Sequence, residues 1–220
     1  VSLTDAFAVL VKHYPELDEL FRRFASPPIR NAGTLGGNIA NGSPIGDTMP
    51  VLIAIGTSLA LRKGKRTREL PLDEFYLAYQ KTALGPGEFV EAIRVPMPTP
   101  GATVRSYKIA KRFDQDISAV CGGYCIVLED GVVRDVRIAY GGVAATPKRA
   151  ARCERALRGR PWTLDSVDAA LGELDKDYSP LTDMRASAAY RRLVTRNLLY
   201  KFFLETSGKQ MQTCVFEYAE

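Results

Sequence analysis

The residues best suited to handling a polar ligand lie between Arg30 and Asp47, in the string RNAGTLGGNIANGSPIGD. Gly33, Gly36 and Gly37 carry no side chain, so backbone N–H groups there can come close to an anion such as a phosphate. Thr34, Asn38 and Ser43 add neutral hydrogen-bonding groups that suit a polyol or a pyrophosphate. Asp47 accepts only when ionised, which suits a ribose or ribityl hydroxyl. The stretch is not a P-loop, because no Gly-Lys-Ser/Thr follows. It is not the dinucleotide fingerprint either, because a third glycine and the surrounding strand-to-helix unit are missing. From these residues alone, a ligand loop and a tight loop with structural glycines both stay open.

Little else offers reactive chemistry. His13 is the single histidine and sits beside Lys12 on an exposed-looking helix, so no histidine-based triad or metal site is expected. The Cys121–Cys125 spacing fits neither a zinc ribbon nor a ferredoxin-type run. On a strand these two cysteines share a face, as small apolar packing residues in a reducing compartment do. No catalytic acid, base or nucleophile emerges, and no metal site. The formal charge of +5 suits an anionic partner, such as a phosphate-bearing cofactor or an acidic subunit, and equally a solvated surface. Nucleic acid is not expected: Arg191, Arg192, Arg196 and Lys201 lie on a helix without an aromatic or glycine platform.

With 220 residues, 46% of them hydrophobic and 25% charged, the chain suits one large or two small globular domains. No apolar run is long enough to span a bilayer, and the start is not a signal peptide. Val1 in place of Met is expected of a processed chain or a fragment.

The elements that must position the Arg30–Asp47 stretch follow from periodicity. Apolar spacing predicts a helix over about 5–24 that Pro15 divides in two. Residues 25–31 are expected not to continue it, and 33–38 to form a glycine-rich loop. Asp47 is expected to cap a short helix ending at Gly56. Strands are predicted at 58–62 and 66–70 as a hairpin, with a short helix at 71–76 and a further strand at 88–95. The proline cluster from Pro96 to Gly101 is the expected boundary, dividing 1–100 from 101–208, with 209–220 as a tail. Beyond it, strands are predicted at 104–111, 117–128 and 132–140, the last two joined through Asp130-Gly131. Helices then start at Pro147 and at Thr163 or Asp165. A long one over about 186–204 carries the apolar stripe Tyr190, Leu193, Val194, Leu198 and Phe202. Strands followed by helices predict an α+β fold.

The whole string from Arg30 to Asp47 resembles the flavin-binding segment of the molybdenum hydroxylases, whose pattern is Arg-Asn-x-Ala/Gly-Ser/Thr-hydrophobic-Gly-Gly-Asn followed by Ser-Pro or Asp-Pro and an Asp. The resemblance continues through Tyr79–Glu88, Lys108–Arg112, Asp114–Ser118 and Tyr140–Ala144, so it covers about residues 20 to 206. The Ser43-Pro44 variant resembles the xanthine dehydrogenase branch more than the carbon monoxide branch. The implied fold is α+β: the second subdomain of a PCMH-type FAD-binding domain, followed by an α+β sandwich like the carboxy-terminal domain of the carbon monoxide dehydrogenase flavoprotein.

Carried over by position, the resemblance implies FAD contacts at Phe24, Thr34, Gly36, Gly37, Asn38, Asp47, Leu84 and Lys108. Phe24 and Leu84 would pack on the flavin, and Lys108 would lie at its polar edge. Arg112, Asp114 and Asp116 would border the face where NAD docks as acceptor. The 2Fe–2S clusters and molybdopterin would sit on partner domains or chains, giving a cytoplasmic hetero-oligomer of a purine-oxidising enzyme without a nucleic-acid or membrane partner. Another molybdenum hydroxylase, or a non-catalytic scaffold subunit, is the alternative. The family's flavin module also begins with an earlier subdomain that this sequence does not contain. The resemblance therefore implies a further segment or chain, or a truncated product.

Overall fold

Pro15 breaks the amino-terminal helix as expected. In the computed structural model, which describes residues 1–208 and Thr213, α1 (Leu3–His13) is capped by Ser2, whose Oγ accepts the Asp5 N–H at 3.1 Å. A single 3₁₀ turn at Pro15–Leu17 leads into α2 (Asp18–Arg22). Two expectations fail in the next stretch. The chain does turn at Ala25, with φ 47°, but it re-enters helix at α3 (Pro27–Ala32). Prolines are tolerated in a first helical turn because the N–H they lack has no partner there anyway. The expected glycine-rich loop also contains a helix, α4 (Leu35–Asn41). Thr34 caps it by accepting the Gly37 N–H at 3.0 Å, and Gly42 ends it at φ 62°.

All seven residues of α5 (Thr48–Ala54) are buried. Asp47 occupies the position before that helix, but its side chain caps nothing. The expected hairpin forms as β1 (Ser58–Lys63) and β2 (Arg66–Pro71). A small hairpin of β3 (Tyr76–Ala78) and β4 (Lys81–Thr82) follows. β5 (Phe89–Arg94) then joins the first sheet, in the order β2-β1-β5.

The second sheet runs β6 (Ala102–Ile109), β7 (Val120–Glu129), β8 (Val132–Gly141) and β9 (Lys148–Arg149), antiparallel in chain order. Asp130 and Gly131 turn between β7 and β8 with φ of 50° and 76°. Three helices complete the chain: α6 (Ala151–Leu157), α7 (Leu164–Asp177) and α8 (Ala188–Thr206). The helix expected at Pro147 starts later, because Lys148 and Arg149 pair with β8 as the edge strand β9.

The second sheet has a core on each face. Tyr124, Ile126, Ile138 and Tyr140 pack with Trp162, Leu198 and Phe202 on the side of α6–α8. Val104, Cys121 and Ala139 join the core that α1, α5 and the first sheet build. Cys121, Cys125 and Cys153 are free thiols, and Cys125 packs against that first core.

On α8 the structure keeps Leu198 and Phe202 of the expected stripe in the core, with Val194 packed against it, and corrects Tyr190 and Leu193. The buried residues are Arg191, Thr195, Leu198, Leu199, Phe202 and Phe203, whereas Tyr190 and Leu193 are 47% and 55% exposed. Arg191 shares the buried face because it finds buried acceptors there. Among the described residues no helix is long and apolar enough to cross a membrane.

α5 lies against the backbone of β7. A Cβ on Gly123 would stand 2.4 Å from Val51 Cα, a backbone atom that cannot move aside. Gly123→Ala is expected to cost about 1–3 kcal/mol through overpacking. Denaturant unfolding checks this, and an unchanged midpoint would contradict the contact.

Candidate functional site

The Thr34–Gly37 turn is held in place by the first residues of the chain. Leu3 N–H donates to Gly33 O at 2.8 Å, and Ser2 forms an isolated antiparallel bridge with Thr34. Within the turn, Gly37 N–H is taken by the Thr34 hydroxyl. Gly36 N–H has no acceptor among the described residues, and a Cβ built on Gly36 would meet nothing within 4 Å. An open backbone donor with no side chain over it lets an anionic group approach closely.

The turn opens onto a groove of about 830 Å³, walled by α1 through Ala6, Val9 and Leu10 and by β5 from Phe89 to Ile93. Its apolar side chains stand unusually bare: Val9 is 57% exposed, Phe89 54% and Met97 66%. Apolar walls with a few polar groups at one end are the usual form of a ligand site.

Behind the turn lies a buried polar chain. Asn38 Oδ1 accepts the Thr48 hydroxyl at 2.6 Å, and Thr48 follows Asp47. Lys108 Nζ donates to Asp47 Oδ2 at 2.5 Å, to Asp116 O at 2.7 Å and to Ser118 Oγ at 3.0 Å. Ser118 Oγ donates in turn to Asp47 Oδ1 at 2.5 Å. The side chains of Lys108 and Asp47 are only 2% and 8% exposed. All three ammonium protons therefore have acceptors, and both carboxylate oxygens have donors. The two groups expected to meet the cofactor are bonded to each other.

The remaining expected residues lie elsewhere. Phe24 packs edge-on against Phe7 with ring centroids 5.5 Å apart, and its carbonyl accepts the Arg30 guanidinium at 2.7 Å. Leu84 borders the same core, on a loop that Arg68 and Glu88 hold. Arg68 donates to Ala83 O at 2.6 Å and to Glu88 Oε2 at 2.7 Å, and Gly85 N–H donates to Glu88 Oε2 at 2.7 Å. First the Arg68 guanidinium and then the Gly85 N–H hold the Glu88 carboxyl down at about 2.

Arg112 and Asp114 are exposed on the following loop. Asp116 folds that loop back, accepting Arg112 N–H at 2.9 Å and Ile117 N–H at 3.0 Å. The Arg112 N–H keeps its carboxyl below the usual range.

The structure thus brings Thr34, Gly36 and Gly37 to the groove. It links Asn38, Asp47 and Lys108, with the Asp116 carbonyl, behind it. It leaves Phe24 and Leu84 at the margin of the first core. Two residues of the assembly were not singled out from the sequence. Ser118 meets Asp47 across 71 positions. Arg23 donates to Phe113 O at 2.7 Å, lies 4.7 Å from the Phe113 ring centroid, and accepts Gln115 N–H at its own carbonyl. No sequence pattern marks either pairing.

Residues 1–98 match the family described as FAD binding domain in molybdopterin dehydrogenase, and residues 105–206 match CO dehydrogenase flavoprotein C-terminal domain. A nicotinate hydroxylase of Emericella nidulans is 36% identical over 189 residues, covering 83% of this chain and 14% of that protein. A xanthine dehydrogenase/oxidase of Gallus gallus is 35% identical over 198 residues, covering 87% of this chain and 14% of that protein. The chain therefore spans 14% of the length of each of these relatives. A carbon monoxide dehydrogenase chain from Hydrogenophaga pseudoflava superposes with a TM-score of 0.85 at 28% identity, over 91% of this chain and 70% of that one.

Two outcomes follow from the site. Lys108→Met strands a buried carboxylate and is expected to cost about 3–5 kcal/mol in denaturant unfolding, while adding Asp47→Leu recovers most of it. A single variant as stable as the parent would refute the buried pair. The Glu88 carboxyl, lowered on folding, contributes stability that is present above the ordinary carboxylate range and lost as pH falls through about 2. Hydrogen exchange at the Gly85 amide is therefore expected to stay slow at pH 4, and fast exchange there would contradict the pairing.

Proposed function

This chain belongs to the FAD-binding modules of the molybdenum hydroxylases, and we propose that it forms the electron outlet of such an enzyme, of the purine-oxidising type with NAD as acceptor. The observation that carries the reading is Gly36, which lines one end of an apolar groove inside the matched segment 1–98 and whose N–H has no acceptor among the described residues. In this reading the Thr34–Gly37 turn holds the FAD pyrophosphate through backbone N–H groups. Val9, Leu10 and Ile93 exclude water from the groove. Phe24 and Leu84 offer apolar surface to the ring system. Asp47 and Lys108 act mainly by fixing the backbone around them, since both are already paired. Lys108 also grips Asp116 O, and so sets the loop from Lys111 to Asp116 that borders the acceptor. When bound, FAD would supply the redox chemistry between the iron–sulfur clusters and NAD. The chain provides placement and charge and no acid or base.

The iron–sulfur domain and the molybdopterin subunit are the proposed partners, in a cytoplasmic hetero-oligomer. Within the chain, 1–100 would complete the FAD-binding domain and 101–208 would form the sandwich behind it. A pyridine carboxylate is the second substrate reading, supported by the 36% identity to the nicotinate hydroxylase.

The natively purified assembly is expected to show flavin bands over a broad iron–sulfur absorption, bleached by xanthine and restored by NAD. Bleaching by nicotinate alone would favour the second reading. A colourless assembly with every partner chain present would overturn both. Gly36→Ala separates binding from folding. It is expected to leave stability unchanged or raise it by up to about 1 kcal/mol, because Ala favours helix. It should weaken FAD binding about tenfold in a fluorescence titration.

A further inference from the structure

Arg191 is the largest side chain that is fully buried among the described residues. A buried cation destabilises unless it is paired and hydrogen-bonded. Arg191 is only partly provided for. Nη2 donates to Asp183 Oδ1 at 2.7 Å, and Nη1 donates to Gly142 O at 2.7 Å and to Ala119 O. Nε–H has no acceptor among the described residues. An apolar side chain of similar volume would fill this space at less cost. Its bonds to the main chain therefore matter more than its contribution to packing.

Those bonds join two strand ends. Ala119 leads into β7, and Gly142 follows the last residue of β8. The two lie so close that a Cβ on Gly142, where φ is 87°, would stand 2.3 Å from Ala119 O. One guanidinium thus draws in two carbonyl oxygens at a point where the backbones almost touch. The other side of this seam is the Ser43–Asp47 turn. Gly142 N–H donates to Pro44 O at 2.7 Å. A Cβ on Gly141 would lie 3.2 Å from Pro44 O and 3.5 Å from Gly46 O. Ser118, the neighbour of Ala119, gives its hydroxyl to Asp47.

We propose that Arg191 is a positioning residue for the flavin site, holding the Ser43–Asp47 turn and the Asp47–Lys108 pair in place through Ala119 and Gly142. It touches neither directly. The consequence for flavin rests on reading the segment 34–47 as the FAD cradle. The consequence for the backbone does not.

The experiment uses the full assembly with Arg191→Lys, which keeps the charge but lacks the planar fork that spans both carbonyls. Tyr140→Phe is the control, because it removes the bonds of Tyr140 Oη to Thr195 O on the same helix and to the Tyr124 hydroxyl, neither of which belongs to the seam. Arg191→Lys is expected to speed hydrogen exchange in peptides covering 43–47 and 116–120 about tenfold, and to raise the FAD dissociation constant about tenfold. Tyr140→Phe should lower Tm comparably and change neither. Unaltered exchange at 43–47 in Arg191→Lys would overturn the proposal, as would an equal local change in Tyr140→Phe. If Arg191→Lys does not assemble, Asp183→Asn removes the carboxylate that aims the guanidinium and is read against the same two outcomes. Should the parent assembly bind no FAD, the functional reading fails, while the exchange arm still decides the role of Arg191.

Discussion

A lysine ammonium withdrawn from water needs an acceptor for each of its protons, and Lys108 finds its three in different parts of the chain: Asp47 before α5, Asp116 on the loop beyond β6, and Ser118 ahead of β7. Once that requirement is met, much of the surrounding geometry has little freedom. α5 must start where Asp47 can reach β6. The loop from Lys111 to Ser118 must fold back over the strand it leaves. β7 must begin one residue after Ala119, where Ala119 N–H still pairs with Ile109 O at 2.8 Å. The turn that carries Gly36 is tied in from the other direction, through Asn38 and Thr48.

What could be read in the sequence divides along a physical line. Elements whose cause is local were legible: the break at Pro15, the hairpin at Asp130-Gly131, the paired strands at 58–70 and the start of the last helix. Each depends on a dihedral preference or a period carried by adjacent residues. The helices at Pro27 and Leu35 were missed for a related reason. Proline and glycine usually stop helices, but in a first turn neither does so, and here both stand in first turns. The buried face of α8 is only partly legible from apolar spacing, which marks Leu198 and Phe202 but not the charged residue that shares it. Arg191 is buried by its partners at 119, 142 and 183, none of which is its neighbour in sequence.

The candidate site follows the same line. The glycines of the turn advertise themselves, since their value lies in what they lack. Asp47 is legible from its chemistry and Lys108 through family resemblance, but their bond to each other is not. Sixty-one positions separate them. A pattern that marks each residue as a ligand contact carries no sign that they also satisfy one another.

β7 is the strand on which both cores depend. Its odd-numbered residues, Cys121, Gly123 and Cys125, face α5, and there Gly123 has no room for even a methyl group. Among its even-numbered residues, Tyr124 stacks on Phe202 at 4.8 Å and shares a hydrogen bond with Tyr140. Strand residues alternate, so losing one residue ahead of Tyr124 would send its ring into the backbone of α5, and gaining one would leave Gly123 opposite Phe202. A strand with one solvated face loses only its buried set in such a slip. From Val120 to Ile126 this one has no indifferent side, so a length change is far better accommodated at its ends than within that stretch.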